Sequence, residues 1–174
     1  METDSERKLH TIAPVYDGES RVLILGSFPS VRSRADGFFY AHPQNRFWRV
    51  LAAVLGEEVP AGIDDKKAML LRNRVALWDV CASCRVENSS DASIRDIVPN
   101  DIKSLLENTR VCAVFTNGST ATSLYKKYIE KETGLTACPL PSTSAANASY
   151  GMEKLMDAWS IVKEALSKSE NNLL

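Results

Sequence analysis

Four short apolar runs separated by stretches of helical spacing constrain this chain more than any other feature. The runs lie near residues 21–27, 75–80, 111–115 and 135–140. Bounded by turn formers, runs of this length read as buried strands. Phe47, Trp48, Val50, Leu51, Val54 and Leu55 recur at helical spacing after the first run. Leu124, Tyr125, Tyr128 and Ile129 form one helical face after the third, and Leu155, Met156, Trp159, Val162 and Leu166 another near the end. Shorter helices are expected over 64–72 and 101–108, with the residues before Val22 a lead-in and 167–174 a frayed tail. Strands alternating with helices call for a parallel sheet covered on both faces. The expected fold class is α/β, a three-layer α/β/α sandwich around a short four-stranded parallel sheet, as a single domain.

A chain of 174 residues is long enough to bury one full core. Net charge is −1, from 21 basic and 22 acidic side chains. Any nucleic-acid contact must therefore be a local patch rather than a global basic charge. No apolar run reaches the roughly 18 residues of a membrane span. The charged start lacks an apolar signal core, so an intracellular location is expected and no membrane partner. Cys81 and Cys84 have the spacing of a redox or metal pair, but Cys112 and Cys138 lie in apolar runs, where free cysteine packs as a small hydrophobe. With only His10 and His42 as imidazoles, a multi-histidine metal site is not expected, and no cofactor is implied.

In open parallel sheets, ligands bind at the carboxyl ends of the strands. The loops there carry Ser27, Tyr40, His42 and Asn45; then Asp79 and Ser83; then Asn117; then Ser142, Thr143, Ser144 and Asn147. Each has a plain structural alternative. Asn45 precedes a helix and can cap it, or it can present an amide that donates and accepts without titrating. His42 is a general acid–base group or a hydrogen-bonded structural histidine. Three adjacent aromatics, Phe38, Phe39 and Tyr40, are core, or one of them faces a pocket and stacks on a planar base. The hydroxyls of 142–144 shape a turn or contact phosphate. Asp79 closes a hydrogen-bond network or lines the pocket. Gly26-Ser27-Phe28-Pro29-Ser30 is neither a phosphate loop nor a hydrolase nucleophile elbow.

Gly26-Ser27-Phe28-Pro29-Ser30, followed by Gly37-Phe38-Phe39-Tyr40-Ala41-His42-Pro43-Gln44-Asn45-Arg46-Phe47-Trp48, resembles the first motif region of the uracil-DNA glycosylase superfamily. Leu77-Trp78-Asp79-Val80 and Pro141-Ser142-Thr143-Ser144-Ala145-Ala146-Asn147 are most similar to its hypoxanthine-DNA glycosylase branch. The resemblance spans residues 21–166 and implies a strand order of 2-1-3-4. It departs from the family twice. Phe28 stands where the mismatch-specific branch has a catalytic asparagine, and the activating aspartate of other branches is also missing. The resemblance implies that Asn45 takes over. In the loop after the fourth strand, Ser144, Ala145 and Ala146 replace a large wedging side chain.

What the resemblance implies is a monofunctional glycosylase acting on DNA with a deaminated base, most closely hypoxanthine, as a monomer and without metal or organic cofactor. Asn45, His42 and Ser27 are the catalytic candidates. Gly26, Phe28, Phe39, Tyr40, Asp79 and Asn117 would form the base pocket. Ser142, Thr143, Ser144, Ala145 and Asn147 would meet DNA, helped by basic groups such as Arg46. The rival expectations are a uracil or mismatch glycosylase, a non-catalytic nucleic-acid-binding module of the same fold, and a hydrolase of free nucleosides.

Overall fold

The computed structural model describes residues 6–86 and 94–172. Its centre is a four-stranded parallel sheet in the order β3-β2-β6-β7. The strands are β2 (Val22–Gly26), β3 (Val75–Asp79), β6 (Ala113–Asn117) and β7 (Ala137–Leu140). In order along the chain these are the four apolar runs, so the 2-1-3-4 arrangement holds. β2 is buried at every position because it has a strand on each side and helices on both faces.

Alternation along β2 divides the core. Val22 and Ile24 face a layer with Phe47, Val50, Leu51, Leu155 and Trp159, from α2 (Phe47–Leu55) and α7 (Met152–Asn171). α3 (Ile63–Arg72) adds Met69 and Leu70 there. Leu23 and Leu25 face the other layer, with Ile102 and Leu105 of α4 (Ile102–Glu107) and Tyr125 of α5 (Ser119–Tyr128). Each such aliphatic side chain contributes about 1.5–3 kcal/mol by leaving water. The two short helices are α1 (Val31–Asp36) and α6 (Glu130–Thr133).

Several expectations change. The lead-in is partly a strand, β1 (Arg7–Leu9), in an antiparallel sheet with β4 (Cys81–Val86) and β5 (Ile94–Pro99), in the order β1-β4-β5. The signal was weak because β1 is short and its pairing partner lies more than 70 residues away, with Lys8 opposite Cys84. Ser83, expected in a loop after the second run, lies within β4, and Asn88 to Asp91 lie outside the described residues. The long loop after β2 contains α1, capped by Ser30, whose hydroxyl accepts from the Ser33 N–H. β6 runs on to Asn117, beyond the apolar run that ends at residue 115. Ser119 starts α5 without a side-chain cap. The expected frayed tail is helix as far as Asn171, tied down where the Arg21 guanidinium donates to the Ser169 carbonyl at 2.9 Å. Cys112 is exposed rather than packed, while Cys81 and Cys84 are buried; none of the cysteines at 81, 84, 112 and 138 is in a disulfide.

Candidate active site

The parallel strands end at Gly26, Asp79, Asn117 and Leu140, side by side at one edge of the sheet. Gly26 is the floor between Asp79 and the strand bearing Asn117. A Cβ on Gly26 would lie 2.4 Å from Asp79 Oδ1 and 2.8 Å from Tyr40 Oη. Both polar atoms converge on a spot that only glycine leaves open.

Tyr40 reaches this point through strained backbone. Its φ is 52°, in the left-handed region that bulky residues avoid. Packing enforces it: the ring stacks on Phe47 with centroids 4.1 Å apart, and the next N–H, of Ala41, donates to Ser33 Oγ. Phe38 and Phe39 are core, 3% and 2% exposed, and the Phe39 carbonyl accepts from the Trp48 indole. Phe39 therefore packs beneath the pocket instead of offering an open face. Phe28 and Tyr40 are the half-buried aromatics there.

Asn45 anchors the opposite side. Its Oδ1 accepts from the Phe47 N–H at 3.0 Å and from Thr143 Oγ1 at 2.9 Å. Thr143 is fully buried. Asn117 grips it twice, donating from Nδ2 to Thr143 Oγ1 at 3.0 Å and accepting the Thr143 N–H at Oδ1. These donors fix the amide orientation, because only the oxygen can accept both. The Asn45 Nδ2 group has no hydrogen-bond partner among the described residues. The amide oxygen thus ties the start of α2 to Thr143, in keeping with a structural role, and the ligand reading rests on the unbonded Nδ2.

The loop after β7 is shaped by its own polar groups. Ser142 Oγ accepts the Ser144 N–H, Ser144 Oγ accepts the Ala146 N–H, and Asn147 Nδ2 donates to the Ser142 carbonyl. Arg46 clamps it from inside, donating to the carbonyls of Tyr150, Ser144 and Asn147. Arg46 is therefore a loop brace, its two terminal nitrogens taken up by carbonyls where a phosphate contact was expected. Ala145 and Ala146 form the exposed tip. Lys154 lies 4.8 Å over the Tyr150 ring beside it.

The structure places His42 and Ser27, the other two catalytic candidates, in different surroundings. His42 is exposed, and its Nδ1 accepts the Gln44 N–H. Ser27 is buried, and its carbonyl accepts the Cys81 N–H. The histidine that does enter the site is His10, from the supposed lead-in. Its Nε2 lies 2.8 Å from Asp79 Oδ2, and its ring meets Phe28 edge-on. Pairing of the His10 N–H with the Ala82 carbonyl extends the β1–β4 ladder and carries the ring inward. No local pattern marks this; a polar residue just after a short strand was its one trace. Among the described residues, no group of three or more His, Cys, Asp or Glu side chains is arranged to hold a metal.

Comparison with known proteins fits this arrangement. Residues 13–165 match the family profile described as the uracil DNA glycosylase superfamily. A hypoxanthine DNA glycosylase of Methanosarcina acetivorans is 33% identical over 142 residues, covering 80% of this chain and 89% of that protein. One from Methanosarcina barkeri is 37% identical over 84 residues, 48% of this chain and 53% of that protein, so the match there spans about half the relative's length. A solution NMR structure from M. acetivorans, described as a proposed uracil DNA glycosylase, superposes with a TM-score of 0.79 at 30% identity, covering 93% of this chain and 99% of that one. With a profile match over most of its length and the site at the strand ends, the chain belongs to the uracil DNA glycosylase superfamily.

Proposed function

We propose that this protein is a monofunctional DNA glycosylase that hydrolyses the N-glycosidic bond of a deaminated base, hypoxanthine, in DNA. The observation that carries the reading is the Asn45 amide, with its oxygen tied by Phe47 N–H and Thr143 and its N–H₂ left for a ligand. The names of the two Methanosarcina relatives support hypoxanthine as the base.

Cleavage of the bond leaves its electron pair on the departing base and positive charge on the sugar. Water adds at C1′ and releases a proton, giving an abasic site and the free base. The Asn45 N–H₂ donates to the base as negative charge grows on its ring nitrogens and carbonyl oxygen. A fixed donor aimed at developing charge is worth about 10²–10³ in rate. Asn117 and Thr143 hold that donor rigid, so little reorganisation is needed in the transition state. The base must leave the duplex to reach the strand ends, and Phe28 and Tyr40 are the aromatics available to stack on it. No lysine is among the side chains that meet over Gly26 or in the Asn45 network, so an imine to the sugar and strand cleavage by elimination are not expected.

The exposed tip of the loop after β7 and Lys154 would meet the DNA backbone. Incubation with oligonucleotides carrying single hypoxanthine, uracil or xanthine residues, followed by alkali, tests the function. An alkali-labile break at hypoxanthine is expected, with none before alkali. Absence of a break at any lesion would remove the enzymatic reading. Hydrolysis of free inosine at the same rate would point to a nucleoside hydrolase.

A further inference from the structure

Arg34, on α1, is a half-buried cation beside the site for which bond cleavage has no use. Its guanidinium carbon lies 5.5 Å from the centroid of the Phe28 ring. Phe28 is half-buried too and meets His10 edge-on, so this ring borders the site. Arg32 and Arg46, from the same stretch of chain, are engaged. Arg32 pairs with Asp36 at 2.7 Å, and Arg46 is tied to loop carbonyls. Arg34 makes no ion pair or hydrogen bond with any described residue. The acid on its own helix, Asp36, is the one that holds Arg32. The Arg34 Nε is buried without a partner, while the two terminal nitrogens are not sealed in. Stacking on an aromatic face, rather than hydrogen bonding, therefore fixes the plane of the guanidinium. A half-buried cation with no acid beside it, open at its forked end, suits an anion that arrives from outside.

We propose that Arg34 binds a phosphodiester of the damaged DNA strand, next to the extruded nucleotide. The proposal rests on the glycosylase reading above, in which DNA enters at this edge of the sheet. A nucleotide turned out of the duplex carries its two flanking phosphates toward the pocket mouth. α1 follows closely on the end of β2, so Arg34 and the Phe28 ring reach that mouth as one piece. The guanidinium fork offers two parallel N–H donors to two phosphate oxygens, a match that an ammonium lacks. The stack orients the fork before DNA arrives, so little side-chain freedom is lost on binding. Phosphate carries no base identity. Arg34 thus holds the turned-out strand without choosing the lesion. With a net charge of −1 the protein has little long-range pull on DNA, and a fixed cation at the pocket supplies attraction that the surface as a whole does not.

The test uses the full chain and duplexes carrying one 2′-fluoro analogue of deoxyinosine, which resists hydrolysis. In each duplex one linkage beside the lesion is a methylphosphonate, whose methyl group replaces a charged oxygen. The parent protein should bind about 10-fold more weakly when one particular flanking linkage is neutral. Arg34→Gln should bind the unmodified duplex about 10-fold more weakly, and neutralising that same linkage should then cost it nothing further. The sensitivity is a ratio within one protein, so lost stability alone does not move it. Arg34→Met, which keeps an apolar stem over Phe28, closes the same cycle if glutamine is not tolerated. Arg34→Lys keeps the charge without the fork. It should retain the parental slope of log affinity against log salt, where Arg34→Gln loses about 0.9, and recover only part of the sensitivity. Full sensitivity at every linkage in both Arg34→Gln and Arg34→Met overturns the proposal. So does a parent protein indifferent to each flanking methylphosphonate. Either result leaves the glycosylase reading standing if unmodified hypoxanthine is excised. A parent protein that neither binds nor cleaves any lesion-bearing duplex overturns both.

Discussion

In the proposed mechanism the Asn45 carboxamide divides its two ends between fold and chemistry. The oxygen is held by the first N–H of α2 and by Thr143, and the nitrogen is the proposed donor to the base. Removing each end in turn separates the roles. Asn45→Asp keeps an oxygen for both donors and lacks the N–H, so single-turnover excision should fall about 10²-fold or more with the melting temperature little changed. Asn45→Ala should lose the same activity and about 1 kcal/mol of stability as well. Parental excision by either variant would move the catalytic role away from this residue. Gly26 is a second point where one atom matters. Gly26→Ala places a methyl group 2.4 Å from Asp79 Oδ1. The carboxylate must swing, and hypoxanthine binding should weaken more than thermal stability; calorimetric melting beside a binding titration reads both.

Among the elements, the loop after β7 and helix α7 act as one unit. Trp159 of α7 is fully buried, and its indole donates to the Pro141 carbonyl at 3.0 Å, just ahead of Ser142 and Thr143. Trp159→Phe keeps most of the apolar surface and drops that donor, so it isolates the loop contact. It should slow excision by loosening Thr143 under Asn45, at a cost in stability of about 1 kcal/mol. Trp159→Ala opens a cavity and should cost about 3–5 kcal/mol in urea unfolding. Arg46 braces the same loop by a fork onto three carbonyls. Lysine has the charge without the fork. Arg46→Lys should therefore weaken DNA binding as much as Arg46→Ala does, whereas a direct phosphate ligand would be rescued by lysine.

For the molecule as a whole, net charge is −1, so long-range attraction to DNA is weak. Association should depend on a few local phosphate contacts near the loop tip and Lys154. The slope of log affinity against log salt should be near −0.9 for each phosphate neutralised on duplex DNA, and shallow overall. Lys154→Ala should reduce that slope by about one unit of phosphate. A slope unchanged in this variant would place the contact surface elsewhere. No helix among the described residues is long and apolar enough to cross a membrane.

The α/β class and the strand order were legible in the sequence, for different reasons. Apolar runs and helical stripes are local patterns, and burial on both faces forces β2 to be apolar throughout. The strand order and the candidacy of Asn45 came through the motif resemblance, because spacing alone allowed a simple helix cap. The tertiary structure decided what depends on distant partners. β1 is three residues long and becomes a strand through pairing with β4, so nothing within it announces a strand or brings His10 to Asp79. Arg46 looked like a free cation because the carbonyls that engage it lie about 100 positions along the chain. Phe39 and Tyr40 are neighbours in sequence, yet one is core and the other overhangs Gly26. The left-handed turn at Tyr40, imposed by stacking on Phe47, makes that difference.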